Sequence, residues 1–418
     1  MQIKRDRYLE KLVRAQGNRM VKIITGIRRS GKSYLLFKLF AKYLKGQGVE
    51  GSRILTLALD DLRNREYRNP ERLLEYLDAR MPARGKAYVL LDEVQLVEDF
   101  AEVLGSLLHR EQVEVYVTGS NSRFLSRDVA SAFRGRGHEI HIGPLCFAEF
   151  MQVYKGQPEQ GMLEYMTYGG LPQAVLLERT DDKMEYLRAV FADTYLNDIR
   201  ERYEIRSDGD LEELIDIVAS GIGGLTNPTR LVNSFHSVKK SAISSNTVRR
   251  YLGLLEDAFL IEKATRFDIK GKRYIDTPSK YYFTDLGLRN ARLNFRQFEP
   301  THLMENLVYN ELRLRGAAVD VGVCQLNTRS AQGVSRRVPL EVDFVCNCGH
   351  SRVYIQSAYH LADAQKRAQE LRPLLQIKDA FAKVVVTMDR VPRHYDEQGI
   401  LTLNLIDFLL DESSLPLG

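Results

Sequence analysis

The stretch that most constrains this chain is residues 26–33, which read GIRRSGKS. An apolar, strand-like run over residues 21–25 precedes it, and a helix-compatible run over residues 34–40 follows. A glycine-rich loop between a strand and a helix, closed by Lys-Ser, is the arrangement that surrounds phosphate groups with backbone N–H donors. The pattern therefore predicts a parallel α/β sheet with a nucleoside triphosphate site, and a chance glycine-rich turn is the alternative.

Each residue type in this P-loop has an expected role. Lys32 is predicted to contact the β- and γ-phosphates, and the Ser33 hydroxyl is predicted to bind Mg²⁺. ATP and Mg²⁺ are therefore the predicted cofactors. The residues predicted to line the nucleotide are Gly26, Ile27, Arg28, Arg29, Ser30, Gly31, Lys32, Ser33 and Tyr34.

A second acidic feature follows the apolar run over residues 87–91, which is typical of a buried central strand. Asp92 and Glu93 come directly after it, at the edge of a parallel sheet where ligands bind. This is a Walker B pattern, in which Asp92 is predicted to bind Mg²⁺ and Glu93 to polarise the attacking water. An ordinary acidic loop is the alternative.

Two further groups of polar residues are candidates for the same site. A strand over residues 113–117 runs into Thr-Gly-Ser-Asn, and Ser120 or Asn121 is predicted to sense the γ-phosphate, with Asn121 preferred. Arg134 and Arg136 follow in a glycine-flanked loop, where an arginine could stabilise charge on a neighbouring subunit's nucleotide. A solvated basic loop is the alternative for both arginines.

Composition places the 418-residue chain among soluble globular proteins of two to three domains. The charged N-terminus is unlike a signal peptide, and no apolar run approaches the ~20 residues of a membrane span. Four cysteines fit a reducing compartment, so we expect a cytoplasmic protein without a membrane partner. Cys346, Cys348 and His350 lack a second ligand pair at finger spacing, which favours a hairpin turn over a zinc site.

The middle of the chain predicts a winged helix-turn-helix over residues 208–290. Three helices are expected from about residue 211, from Pro228 and from Ser244-Ser245, followed by a hairpin with a basic tip at residues 270–272. Residues 239–280 contain ten Lys and Arg against five Asp and Glu. The residues predicted to contact DNA are Asn246, Arg249, Arg250, Lys270, Lys272 and Arg273. A packing or oligomer-contact module with a solvated charged face is the alternative.

Several motifs together resemble a family of prokaryotic AAA+ ATPases, often named archaeal-type ATPases. They are GIRRSGKS, LLDEVQ, TGSNSRFLS, GRGHEIHIGPLCFAEF and YGGLPQ. The resemblance extends to about Asn404, and it implies an AAA+ core with a helical lid and ATP hydrolysis. It implies little about the biological task.

The last third of the chain predicts a helix, three strands, a helix and a strand, an order that resembles the PD-(D/E)xK nuclease fold. That resemblance assigns Glu305, Asp343 and Gln356 to a nuclease-like site. Ala358 stands where the family has its lysine, although Lys366 could substitute from another direction. We therefore expect a degenerate fold kept for DNA contact or assembly, without nuclease activity.

These observations predict four domains. They are an AAA+ core over residues 1–156, a helical lid over 157–207, a winged helix over 208–290 and a nuclease-like domain over 291–418. The predicted function is Mg²⁺-dependent ATP hydrolysis coupled to DNA remodelling or translocation by a homo-oligomer. The alternatives are an ATP-gated switch acting on a protein partner, in a regulatory or defence complex, and an ATP-controlled nuclease.

Overall fold

The structure, a computed structural model, describes residues 2–82, 84–119, 135–196, 199–200, 208–239, 243–329, 335–361 and 363–415. The chain forms two compact units. The first contains residues 1–145 with the short segments 171–173 and 257–259, and the second contains the rest. None of the described helices is long and apolar enough to cross a membrane.

The first unit is built on a five-stranded parallel sheet with the order β2-β3-β4-β1-β5. Its strands are β1 (Val21–Thr25), β2 (Ile54–Ala58), β3 (Ala87–Asp92), β4 (Val113–Thr118) and β5 (Gly137–His141). Strands β1, β3 and β4 are buried along their whole length, as expected for a sheet covered on both faces. The predicted parallel α/β sheet is confirmed, and β4 lies between the P-loop strand and the Walker B strand.

Helices alternate with these strands in the chain. They are α1 (Asp6–Arg14), α2 over residues 32–46 with a π-helical stretch at Leu35–Phe40, α3 (Pro70–Asp78) and α4 (Phe100–Leu108). Helix α3 begins with an Asn69 cap and a proline in its first turn, a favourable start for a helix. Leu73, Leu77 and Leu104 pack with Val89 and Val115 in one apolar core.

The second unit is rich in helices up to residue 314. They are α5 (Phe147–Met151), α6 (Pro158–Tyr168), α7 (Pro172–Leu176), α8 (Thr180–Ala189), α9 (Asp208–Ser220), α10 (Pro228–Lys239), α11 (Ser245–Asp257), α12 (Leu286–Arg292) and α13 (Pro300–Leu314). Helices α9, α10 and α11 agree within a few residues with the three helices predicted for the winged helix. The first two residues of α7 belong to the first unit.

The glycines of the YGGLPQ motif are explained by close packing within the second unit. Asp285 accepts hydrogen bonds from the backbone N–H groups of Gly170 (2.8 Å) and Leu288 (3.0 Å). A Cβ on Gly169, whose φ is +70°, would lie 2.3 Å from the Asp285 carboxylate. A Cβ on Gly287 would lie 2.1 Å from the Tyr168 carbonyl oxygen. The motif thus packs α6 against α12, a structural task.

An eight-stranded mixed sheet completes the second unit, in the order β12-β13-β11-β10-β9-β8-β6-β7. Its strands are β6 (Ile261–Asp268), β7 (Arg273–Phe283), β8 (Ala318–Arg329), β9 (Ser335–Cys348), β10 (Ser351–Ala358), β11 (Ala382–Thr387), β12 (His394–Tyr395) and β13 (Ile400–Asn404). Helix α14 (Ala364–Leu375) lies between β10 and β11 in the chain, and α15 (Leu405–Leu410) follows β13. The predicted order of helix, three strands, helix and strand is observed in α13 to β11.

The hairpin predicted as a separate wing is the edge of this sheet. Strand β6 pairs in parallel with β8, with Arg266 opposite Val321 and Asp268 opposite Val323. The third short strand expected at residues 281–283 is the end of β7. The boundary predicted between residues 290 and 291 therefore separates strands that belong to one continuous sheet. Backbone pairing here joins segments about fifty residues apart, and a local sequence pattern does not reveal such pairing.

Gly287→Ala tests the packing of the YGG motif. Because the new Cβ would overlap a backbone oxygen that has no freedom to rotate away, we expect the free energy of unfolding to fall by about 2 kcal/mol or more. The matched control is Gly253→Ala in α11, where no atom other than the adjoining residues and the helix's own backbone lies within 4 Å of the new Cβ. That change should leave stability equal or raise it by about 0.5 kcal/mol. Urea unfolding followed by circular dichroism measures both, and equal effects would refute the packing argument.

Candidate nucleotide site and its surroundings

The P-loop between β1 and α2 has the geometry of a phosphate cradle. Gly26 has a φ of +137°, and a Cβ there would lie 2.0 Å from the Ile142 carbonyl oxygen. Gly31 has a φ of +91° at the start of α2. The hydroxyl oxygen of Ser30 is buried and has no hydrogen-bond partner among the residues that the structure describes. Backbone positions that only glycine tolerates, together with a buried polar atom left for a ligand, fit a bound phosphate.

Lys32 lies inside this cradle with only 5% of its surface exposed. Its Nζ donates hydrogen bonds to the carbonyl oxygens of Gly26 and Ile27, both at 3.0 Å. Burial lowers the pKa of Lys32 to about 8, against the opposing attraction of Glu93 and Asp92. The loop therefore contains a desolvated ammonium, and a phosphate group could replace the two carbonyl oxygens as its partner.

The predicted magnesium ligands Ser33 and Asp92 lie together. The Asp92 carboxylate, at the end of β3, accepts a hydrogen bond from the Thr118 hydroxyl, and the Ser33 side chain lies near it. Burial raises the pKa of Asp92, and the interactions with Ser33 and Thr118 partly offset that rise. A hydroxyl and a carboxylate oxygen beside a phosphate cradle are the donors that Mg²⁺ prefers, so these residues fit the ion.

Glu93 is placed next to Asp92 by an unusual backbone conformation. Its φ is +53°, in the left-handed region, and its N–H donates to the Thr118 hydroxyl oxygen at 3.0 Å. The side-chain amide of Gln95 donates to the Glu93 carboxylate. Glu93 thus has its backbone fixed by one neighbour and its carboxylate oriented by another, as a water-activating base requires.

Sequence reasoning missed three residues of this region. Thr118 bridges Asp92 and the Glu93 backbone, although the predicted sensor position lay two or three residues later. Gln95 lies in the LLDEVQ motif, but the sequence pattern predicts no role for it. Arg5, 3% exposed, donates to the carbonyl oxygens of Ser30 (2.7 Å), Gly143 and Pro144 (both 3.0 Å) and so joins the P-loop to the segment after β5. A polar residue ending β4 was a usable signal for Thr118, whereas nothing local marks Arg5.

The remaining predicted nucleotide-site residues have mixed outcomes. Tyr34 and Arg29 are exposed beside the loop, and Arg28 is half-buried. Arg136 is exposed, and its carbonyl oxygen accepts a hydrogen bond from the Val21 N–H at 2.9 Å. Ser120, Asn121 and Arg134 lie outside the described residues.

The residues assigned to a nuclease-like site do not all face the same way. Glu305 on α13 and Asp343 on β9 lie close enough to raise the pKa of Asp343, together with its burial. Gln356 is in register with Val385 and lies between Tyr354 and Ala358 on its strand. Those three neighbours pack in the apolar core beside α14. Strand alternation therefore directs Gln356 to the opposite face of the sheet from Glu305 and Asp343.

The six predicted DNA-contacting residues are all exposed, namely Asn246, Arg249, Arg250, Lys270, Lys272 and Arg273. Three of them lie on α11 and three at the turn between β6 and β7. Arg249 lies near enough to Asp276 of β7 to lower the pKa of that carboxyl, after the larger effect of Lys263. Helix α11 and the β6–β7 hairpin therefore lie close together.

The segment of Cys346, Cys348 and His350 forms the predicted hairpin. Cys348 pairs with Ser351 across the turn between β9 and β10, and Gly349 has a φ of +55°. Within the described part of the chain, no group of three or more His, Cys, Asp or Glu residues is arranged to bind a metal ion.

Comparison with known proteins identifies the family. The AAA domain family matches residues 18–151, which include the P-loop and the Asp92-Glu93 pair. An uncharacterised protein of Haemophilus influenzae is 31% identical over 417 residues, which cover 98% of each chain. This chain belongs to the AAA+ P-loop family. It is accordingly a nucleotide-binding AAA+ protein.

Further similarities extend over the rest of this AAA+ protein. A domain of unknown function matches residues 159–299. An uncharacterised protein of Methanocaldococcus jannaschii is 27% identical over 365 residues, covering 84% of this chain and 77% of its own. The Aeropyrum pernix ORC1 protein in complex with DNA has a TM-score of 0.28 at 12% identity and covers 70% of this chain and 92% of its own. That structural overlap is too low to carry an argument.

The lowered pKa of Lys32 predicts a pH dependence of nucleotide binding. Phosphate oxygens raise the pKa of a nearby ammonium, so above roughly pH 8 binding must recover a proton that the free protein has lost. We expect the Kd for ADP to rise roughly fivefold from pH 8 to pH 9 and to change little below about pH 7. Isothermal titration calorimetry measures it. Lys32→Met is the control and should bind weakly and without this slope; an equal slope in both proteins would contradict the assignment.

Proposed function

We propose that this AAA+ protein binds ATP with Mg²⁺, hydrolyses the nucleotide and couples hydrolysis to DNA. The observation that carries the first part is that the Ser33 side chain of the P-loop lies near enough to the Asp92 carboxylate of the Walker B strand to lower the pKa of that carboxyl. This proximity brings together the two predicted magnesium ligands beside the buried ammonium of Lys32. Glu93 then lies one residue beyond Asp92, at the same sheet edge.

The proposed chemistry follows from these positions. Lys32 exchanges its two carbonyl partners for phosphate oxygens, and Ser33 and Asp92 hold Mg²⁺, which neutralises charge on the phosphates. Glu93 accepts a proton from the attacking water. Gln95 orients the Glu93 carboxylate, and Thr118 fixes the backbone on which it is carried.

Two further groups of residues are proposed to act on the nucleotide, a polar residue that follows β4 and an arginine near β5. Asn121, or Ser120, senses the γ-phosphate. Both residues follow β4 in the sequence, and β4 lies between the strands that carry the P-loop and the Walker B residues. Arg134 or Arg136 stabilises transition-state charge on the nucleotide of a neighbouring subunit. An arginine acting in this way requires a homo-oligomer.

The DNA part of the proposal is supported by the exposed cations on α11 and the β6–β7 turn. Arg249, Arg250 and Lys272 are free of the burial that makes a lysine or arginine structural. Tyr274, at the same turn, is 65% exposed and could stack on a base or sugar. Because β6 pairs with β8, a load on the hairpin would pass directly into the large sheet. Remodelling or translocation of DNA is the proposed outcome of the ATP cycle.

Steady-state phosphate release with single-stranded, duplex and branched DNA tests this function. We expect Mg²⁺-dependent turnover that one DNA form stimulates, with stimulation falling as salt rises because phosphate contacts release counterions. Glu93→Gln should bind ATP but lose turnover by roughly 10²-fold or more. Normal hydrolysis by that variant would show that Glu93 is not the base.

A matched pair of variants separates DNA binding from general charge. Arg249→Ala with Arg250→Ala should weaken DNA binding and lower the salt slope by about 2. Arg390→Ala with Arg393→Ala removes the same charge near β12, the opposite edge of the same sheet, and should leave both unchanged. Turnover without any DNA response, and no DNA bound at low salt, would overturn the DNA part and point to a protein partner.

A further inference from the structure

A row of aromatic and arginine side chains lies on the large sheet of the second unit, beside the turn between β6 and β7. Tyr274 of β7 is in register with Phe267 of β6, and their ring centroids are 5.4 Å apart. The guanidinium carbon of Arg352 lies 5.1 Å from the ring centroid of Phe267 and 5.5 Å from that of Phe381, which directly precedes β11. We call these four residues the stacking row. Neither the nucleotide site nor the nuclease-like cluster contains any of them.

The two ends of the stacking row are open to solvent, whereas its middle is part of the core. Tyr274 is 65% exposed and Phe381 is 40% exposed. Phe267 is buried and packs in the same apolar core as Leu371 and Leu374 of α14. Exposed rings that belong to one connected surface mark an interaction site more often than scattered single rings do. The core therefore holds in place a surface that presents two aromatic rings to a partner.

Arg352 connects the two ends of the row. Its Nε donates a hydrogen bond to the side-chain oxygen of Asn347 at 2.7 Å, which fixes the guanidinium beside the rings of Phe267 and Phe381. Guanidinium planes and aromatic rings both stack on nucleobases, and they do so for any base. A row that contains both groups is therefore suited to unpaired bases.

The charges next to the row favour an anionic ligand on one side of Tyr274. Lys270 and Lys272, in the turn that leads into β7, are exposed and form no ion pair with any residue that the structure describes. On the other side lies Asp320 of β8, which raises the pKa of the Tyr274 hydroxyl. A chain of phosphates would be attracted to the turn and repelled by Asp320. The lysines therefore complement a nucleic-acid backbone whose bases lie on the row.

We propose that the stacking row binds unpaired nucleotides of a DNA strand whose phosphates contact Lys270 and Lys272. This inference rests on the DNA part of the proposed function and specifies the form of DNA, namely one with a single-stranded segment. In a duplex the bases are stacked on one another, so their faces cannot reach Tyr274 or Phe381. The exposed arginines of α11 need no unpaired base and bind the phosphates of either form.

The first test uses the absence of tryptophan from the sequence. Tyr274→Trp gives the full chain a single tryptophan, whose fluorescence falls when its ring stacks on a base. We expect an oligothymidine strand of about 20 nucleotides to quench it and a hairpin duplex of equal length to leave it unchanged. Tyr395→Trp is the matched control, because Tyr395 is 61% exposed on β12 at the opposite edge of the same sheet. It should respond to neither DNA.

Binding of the same two DNAs, followed by fluorescence anisotropy across a salt series, gives the affinities. Tyr274→Ala and Phe381→Ala should each raise the Kd for the single strand roughly tenfold, with the salt slope and the Kd for the duplex unchanged. Tyr274→Phe keeps the ring and should retain affinity. Lys270→Ala with Lys272→Ala should instead lower the salt slope by about 1.4. Phe298→Ala, which removes a ring that is 42% exposed outside the row, should change neither Kd.

The outcomes separate this inference from the proposed function. Wild-type protein whose single-strand affinity survives both Tyr274→Ala and Phe381→Ala would refute the stacking row and leave the proposed DNA function intact. Equal weakening of single-strand and duplex binding by Tyr274→Ala would also refute it, because a paired base cannot stack on that ring. Wild-type protein that binds neither DNA at low salt would overturn the proposed DNA function, and this inference with it.

Discussion

The carboxylate of Asp92 is the interaction on which the candidate site depends. It accepts a hydrogen bond from Thr118 at the end of β4 and interacts with Ser33 at the start of α2, so it connects residues at the ends of three strands, β1, β3 and β4. Thr118 also accepts the Glu93 N–H. The order β3-β4-β1 makes this possible, because it places the Walker B strand and the P-loop strand on either side of β4. If that order changed, the Mg²⁺ ligands and the base would no longer share an edge.

In the second unit, too, charged side chains are held in place by elements that are distant in sequence. There the carboxylates of Glu305 and Glu341 form ion pairs with Lys280 of β7, a strand of the hairpin that the sequence assigns to another domain. In the first unit the buried ammonium of Lys32 faces backbone carbonyls that a ligand can replace. In the second, Lys280 faces carboxylates that it neutralises. The Lys32 ammonium can therefore exchange its carbonyl partners for a ligand, whereas the Lys280 ammonium keeps its carboxylate partners.

Patterns that are local in sequence were predicted well. The P-loop strand, the Walker B strand and the helices α9, α10 and α11 follow from glycine position, apolar runs and capping residues. Contacts between distant segments were not predictable in this way. Arg5 reaches the P-loop from the N-terminus, Lys280 reaches α13 from β7, and β6 joins β8 through backbone pairing that leaves no mark in the side-chain pattern. Gln356 matches a position of the nuclease family by residue type and sequence order, whereas strand alternation directs its side chain to the face of the sheet opposite Glu305 and Asp343.

The most direct test of the bridging role of Thr118 is the effect of Thr118→Val on turnover and nucleotide affinity, measured on the same preparation. Valine keeps the shape of threonine but loses the hydroxyl that joins Asp92 to the Glu93 backbone. We expect a turnover lower by roughly 10²-fold with the Kd for ATP changed by less than about threefold, and Thr118→Ser should retain activity. Wild-type turnover in Thr118→Val would show that the bridge between the magnesium ligand and the base is dispensable.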